Sequence, residues 1–132
     1  MAVEIKYKEI TGKIIGAAMK VHRYFGPGFP ELIYKRALVI ELGKSGLECG
    51  IEIEKPVIYN SEMIGKRRLD LIVTQKILVE LKAMEWIRKK EETQLINYLK
   101  VFDIEVGLLL NFGAASLQFK RFVNDKASAK SS

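Results

Sequence analysis

A chain of 132 residues, 48% apolar and 29% charged, with a net charge of +6, has the size and composition of one folded domain. Two domains and a disordered chain are excluded. A single cysteine, Cys49, and a single histidine, His22, also exclude an internal disulfide and a Cys/His zinc site, so any metal must sit on oxygen ligands.

From Val3 to Phe25, the residues Tyr7, Ile10, Ile14, Ala17, Ala18, Val21 and Phe25 recur at steps of three and four, which predicts an amphipathic helix. Its apolar run over 14–19 is too short for a signal segment or a membrane span, so a cytoplasmic protein with no membrane partner is expected. Gly26-Pro27-Gly28 ends this helix. A second begins with Pro30 at its first position and carries Leu32, Ile33, Ala37, Leu38, Ile40 and Glu41 to Gly43 or Gly46. Three strands follow at 49–59, 63–74 and 76–82, an antiparallel meander with turns at Asn60-Ser61-Glu62 and Thr74-Gln75. Lys89 to Phe102 reads as a helix with Leu95, Tyr98, Leu99 and Phe102 on one side, Ile104 to Leu110 as a buried strand, and Leu117 to Val123 as a last strand. The order predicts an α/β layer fold in which helices cover a mixed sheet. From Asn124 to Ser132, Lys, Ala and Ser replace the apolar residues, and a flexible polar tail is expected.

Glu80 and Lys82 lie two apart on the third strand and share one face of the sheet, with Val79 and Leu81 turned into apolar packing. A hairpin turning at Thr74-Gln75 sets Asp70 opposite residue 79 or 80, so the Asp70 and Glu80 carboxylates can meet. Such a pair suits Mg²⁺, which binds through one or two carboxylates plus water and phosphate. A neighbouring lysine supplies positive charge where phosphate charge develops and can orient or help deprotonate a water. Taken alone, the three are also what an ordinary solvated strand face shows.

Two further pairs stand at helical spacing, Glu31 with Tyr34 and Gln94 with Tyr98. Gly28-x-x-Glu31-x-x-Tyr34 matches the signature of the GxxExxY family. Arg68-x-Asp70-Leu71-x-Val73, Val79-Glu80-x-Lys82-Ala83, Gln94-Leu95-x-x-Tyr98-Leu99 and Gly107-Leu108-Leu109-x-Asn111-Phe112 then follow in order. Over about Ile14 to Val123 the chain resembles that family, which is similar to the PD-(D/E)xK nuclease superfamily.

The resemblance implies a restriction-endonuclease-like core over residues 1–123, a mixed β-sheet flanked by helices with an extra N-terminal helix. It also implies a Mg²⁺-dependent nuclease, with Mn²⁺ able to substitute, that cleaves nucleic acid, DNA being the expected form, and leaves a 5′-phosphate. Asp70, Glu80, the Leu81 carbonyl and Glu31 stand at metal-ligand positions. Glu31, in the first turn of its helix, is favoured there by unpaired N–H groups. Lys82 stands at the position of the catalytic lysine, and Gln94 and Tyr98 at those that support this lysine and the substrate phosphate. Thr93, where alanine is usual, and Pro30 before Glu31 depart from the family pattern without removing a catalytic group.

Tyr34, Arg68, Arg88 and Lys89 are candidate substrate contacts, Tyr34 having packing beneath Glu31 as its alternative. The runs Lys66-Arg67-Arg68 and Arg88-Lys89-Lys90 either track a phosphate backbone or form solvated faces. Trp86 is open between base stacking and anchoring its segment. His22 reads as a hydrogen-bonding residue outside the catalytic set, and Gly28 as a turn requirement. The basic charge favours a polyanionic partner. A domain this small has no separate recognition unit, so a partner or homodimer is expected to supply target choice. The rival readings are an inactive nuclease-fold module that binds nucleic acid, and an interaction protein whose charged strands are plain surface.

Overall fold

The computed structural model describes residues 2–125. Helix α1 (Ala2–Phe25) buries Tyr7, Ile14, Ala17, Ala18 and Val21, and α2 (Glu31–Lys44) buries Tyr34, Leu38 and Leu42. The buried stripe of α2 is therefore a strict four-residue repeat, and Leu32 and Ile40, read from the sequence as part of its apolar pattern, are 42% and 60% exposed. Pro30 sits just outside the helix: its ψ of 154° is extended, so the first helical residue is Glu31. No helix among the described residues is long and apolar enough to cross a membrane.

The strands are β1 (Cys49–Tyr59), β2 (Glu62–Val73), β3 (Ile77–Lys82), β4 (Val106–Asn111) and β5 (Gln118–Val123), with α3 (Lys89–Val101) between β3 and β4. They form one sheet in the order β1-β2-β3-β4-β5. Only β3 and β4 are parallel, because α3 carries the chain back across the sheet between them; the other pairs are antiparallel. Helices α1 and α2 pack on the face bearing Leu71, Val73, Val79, Leu81, Leu108 and Leu110, and α3 packs with Leu69, Leu78 and Leu109 on the other. The result is the expected α/β arrangement, a mixed sheet between helical layers.

Strand β2 is irregular at Asp70. Its neighbour Leu69 packs on the α3 side while Leu71 and Val73 pack on the opposite side, so strict alternation fails there. On one flank, β1 pairs Ile51 with Leu71 and Ile53 with Leu69, while the intervening Glu52 adopts a left-handed φ of 50°. On the other flank, the ladder to β3 runs from Val73 and Ile77 to Leu71 and Val79 and stops. Beyond that point β3 stays with β4 as far as Lys82, paired with Asn111, and β2 leaves with β1 as a two-stranded arm.

At the chain's end, Asn124 does not belong to a free tail. It is buried, its N–H donates to Glu105 O at 2.7 Å, and its side chain donates to Leu99 O at 3.0 Å. The rest of the expected tail, from residue 126 on, lies outside the described residues.

Both hairpin turns fall where the sequence puts them. Thr74 and Gln75 take φ values of 54° and 62°, a conformation that favours Asn and Gly and that a β-branched residue resists. Replacing Thr74-Gln75 by Asn-Gly is expected to stabilise the fold by about 1 kcal/mol. Urea denaturation reads this directly, and an unchanged or lower midpoint contradicts it.

Candidate active site

The loop between α1 and α2 fixes the start of α2. Gly28 has a φ of 114°, open to glycine alone in practice, which explains the glycine of the Gly28-x-x-Glu31-x-x-Tyr34 motif. The Tyr34 hydroxyl donates to Gly26 O at 2.5 Å and accepts the Phe29 N–H at 3.1 Å, closing the loop over its own ring. That ring is fully buried and stacks on Phe112 at 4.7 Å. Of the two alternatives the sequence left for Tyr34, substrate contact or packing beneath Glu31, its full burial fits the packing one, and its bonds fix the loop that leads into Glu31.

At the split between β2 and β3, two carboxylates take over the work of the missing ladder. Glu80 Oε2 accepts the Asp70 N–H and Asp70 Oδ2 accepts the Leu81 N–H, both at 2.9 Å. The hairpin register inferred from the turn is correct, and the two acids meet by bonding each other's backbone. Asp70 Oδ1 also accepts from Lys35 Nζ at 3.2 Å, and the same ammonium pairs with Glu52 at 3.0 Å.

Lys35 and Glu52 were not found in the sequence. Lys35 stands four residues after Glu31 on α2, one turn further along the same face, and that spacing was the available signal. Glu52 had none, because only its left-handed backbone inside β1 brings it to Lys35.

Lys82 follows Glu80 on β3, and its charge acts on both Glu80 and Glu31. From the α3 side, Tyr98 lies within the electrostatic reach of Glu80, Asp70 and Arg67. Gln94 is exposed one turn earlier on α3, and Arg68 is exposed on β2. Lys89, the first residue of α3, is exposed, whereas the Arg88 guanidinium forks onto the Glu91 carboxylate at 2.8 and 3.1 Å. Trp86 is 60% exposed, so it does not anchor its segment. His22 is buried and bonds Ala114 O through Nε2 at 2.9 Å, tying α1 to the loop after β4.

The segment that follows Lys82 is stapled by Asn111. The Asn111 side chain accepts the Met84 N–H at 2.9 Å and the Gly113 N–H at 3.1 Å, and donates to Met84 O at 2.9 Å and to Gln118 Oε1 at 2.8 Å. All four bonds of a fully buried amide are used. Asn111→Leu leaves several backbone groups unpaired and is expected to destabilise the fold by about 3 kcal/mol. A chemical denaturation shift under about 1 kcal/mol is inconsistent with the staple.

Burial, and then the charge of Asp70, push Glu80 up from 4.5 to about 7, against the Asp70 N–H, Lys82 and Lys35. Glu31 is raised by burial and by Asp70, with Lys82 and Lys35 opposing. Lys35 is lowered by burial but raised more by Glu52 and Asp70, for a net upward shift, and Lys35 in turn holds Glu52 below the ordinary carboxylate range.

Among the described residues, no three acidic, histidine or cysteine side chains form a ready-made ion cage, so Glu31 does not close one with Asp70 and Glu80. Two carboxylates, one of them buried under mutual repulsion, nevertheless fit a hard divalent ion that completes its shell with water and phosphate.

Because folding raises the Glu80 pKa, its contribution to stability is fully present below pH 4.5 and is lost as the pH rises through about 7. The loss is on the order of 3 kcal/mol for this 7%-exposed group. With divalent ions chelated, wild-type melting temperature should fall between pH 5 and pH 8, and Glu80→Gln should flatten that fall. Parallel curves for the two proteins would show that Glu80 is ionised without penalty.

The chain matches the PD-(D/E)XK nuclease superfamily over residues 8–122. Among curated proteins none matches. A solved structure, the crystal structure of SSO0001, is similar with a TM-score of 0.53 and 22% identity, over 73% of this chain and 52% of that one. The chain thus spans about half the length of that protein, and at this identity the likeness bears on the fold alone. The superfamily match runs from the first turns of α1 into β5 and takes in the whole split with its acids and lysine, and the chain belongs to the PD-(D/E)XK nuclease superfamily.

Proposed function

We propose that this protein is a metal-dependent nuclease of the GxxExxY kind that hydrolyses phosphodiester bonds in DNA and leaves a 5′-phosphate. The observation that carries this reading is the meeting of Asp70 and Glu80 across the β2–β3 split, with Lys82 on the same strand as Glu80. Asp70, Glu80 and the Leu81 carbonyl would hold Mg²⁺ or Mn²⁺, with Glu31 reaching the ion through water. When bound, the ion supplies Lewis acidity toward the scissile phosphate and makes the attacking water more acidic.

The protein's own groups do the rest. Lys82 orients the water and offsets the charge that develops on the phosphate. Tyr98, with Gln94 one turn before it, faces the acids from α3 and supports Lys82 and the phosphate. Arg68 and Lys89 are exposed and free to meet the nucleic-acid backbone, while Arg88 contributes through a guanidinium already oriented by Glu91. Choice of target is assigned to a homodimer or partner, and the compartment to the cytoplasm.

The test offers linear, circular, branched and single-stranded DNA, and RNA, to the purified protein with Mg²⁺, Mn²⁺ or EDTA. Asp70→Asn keeps an oxygen for the Leu81 N–H and is preferable to alanine. It and Lys82→Met are each expected to slow cleavage by about 10²–10⁴-fold while the fold persists by circular dichroism. Binding that survives EDTA with no cleavage of any substrate would leave the inactive binding module standing instead.

A further inference from the structure

Lys35 is an unusual feature in a site read as a cation centre, because it is itself a cation at the centre. Its side chain is only 11% exposed, and its ammonium lies 3.2 Å from Asp70 Oδ1 and 3.0 Å from Glu52 Oε2. A cation bridging two carboxylates at such distances fills the kind of space that a second divalent ion would need beside the first, the ions of two-metal phosphodiesterases lying about 3.5–4 Å apart. An ammonium and a divalent ion cannot share that position, since both space and charge exclude it.

Glu52 has a backbone to match. A non-glycine residue at φ 50° inside a strand is strained, and strain of this kind persists where the surroundings enforce it. Here it sets Glu52 beside Lys35, at the point where the β1–β2 pairs skip from Ile51 to Ile53.

We infer that Lys35, clamped by Glu52, takes the place of a second cation, so that the site admits one divalent ion and Asp70 is held toward it. This rests on the metal-dependent reading above. Lys35 is a positioning residue, acting on the reaction through Asp70. It restricts the site to chemistry in which one ion and Lys82 share the phosphate charge.

The test counts ions and needs no substrate. Full-length protein is titrated with Mn²⁺ alone, and free Mn²⁺ is followed by electron paramagnetic resonance. Wild type is expected to bind one Mn²⁺ per chain and Lys35→Met two, because the vacated space lies between two carboxylates. Lys35→Arg, which keeps the charge, is expected to bind one, and Lys35→Met combined with Glu52→Gln returns to one. Lys35→Gln serves with the same expectation of two should the methionine variant fail to fold.

Two ions in wild type, or one in both the methionine and glutamine variants, overturns the inference and leaves the nuclease reading intact. No bound ion in wild type overturns both. A merely structural lysine would change melting temperature without changing the count.

Discussion

The β2–β3 split is the constraint on which the site depends. Two strands that part leave backbone N–H groups facing a gap, and a buried N–H without an acceptor is costly. The chain answers with side chains: Glu80 accepts the Asp70 N–H and Asp70 accepts the Leu81 N–H. Each acid thus satisfies a backbone donor that the parted ladder leaves open, and the two hold the gap as they line it. Their geometry is set by the backbone they complete, before any ligand arrives.

Two sides of the split are braced by the end of β4. Asn111 holds the segment after Lys82, and its neighbour Phe112 stacks under Tyr34, which closes the loop carrying Glu31. Two adjacent residues, the last of a fully buried strand and the one that follows it, thus connect the lysine side of the site with its α2 side. The Asn111-Phe112 pair in the sequence motif, remote from Lys82 in the chain but paired with it across β3 and β4, finds its physical reason there.

The sequence announced the elements well, because alternation, glycine punctuation and turn residues are local signals. The opposition of Asp70 and Glu80 was also legible, since a hairpin turn fixes register by counting. The neighbours of Asp70 were not. Lys35 reaches it across 35 positions of sequence, and Glu52 depends on a backbone angle that no local pattern announces. The burial of Tyr34 was legible only as one of two alternatives: an amphipathic reading of α2 weighs Leu32 and Ile40 as apolar, but the buried stripe is Tyr34, Leu38 and Leu42. Trp86, which the sequence leaves open between base stacking and anchoring its segment, is 60% exposed, and that fact comes from the packing and not from the residue type.

The two acids are not equivalent, and the difference gives the site a direction. Asp70 has one oxygen on the Lys35 ammonium and the other on the Leu81 N–H, so its charge is well met. Glu80 is buried more deeply, and among the described residues its carboxylate receives a single hydrogen bond, from the Asp70 N–H. Lys82 and Lys35 act on it through space and leave its pKa near 7. The unmet negative charge of the split therefore resides on Glu80, and a divalent cation entering there relieves the most electrostatic strain beside it. In the proposed reaction this sets the ion on the Glu80–Lys82 side of Asp70, away from Lys35, where Lys82 can address the same phosphate.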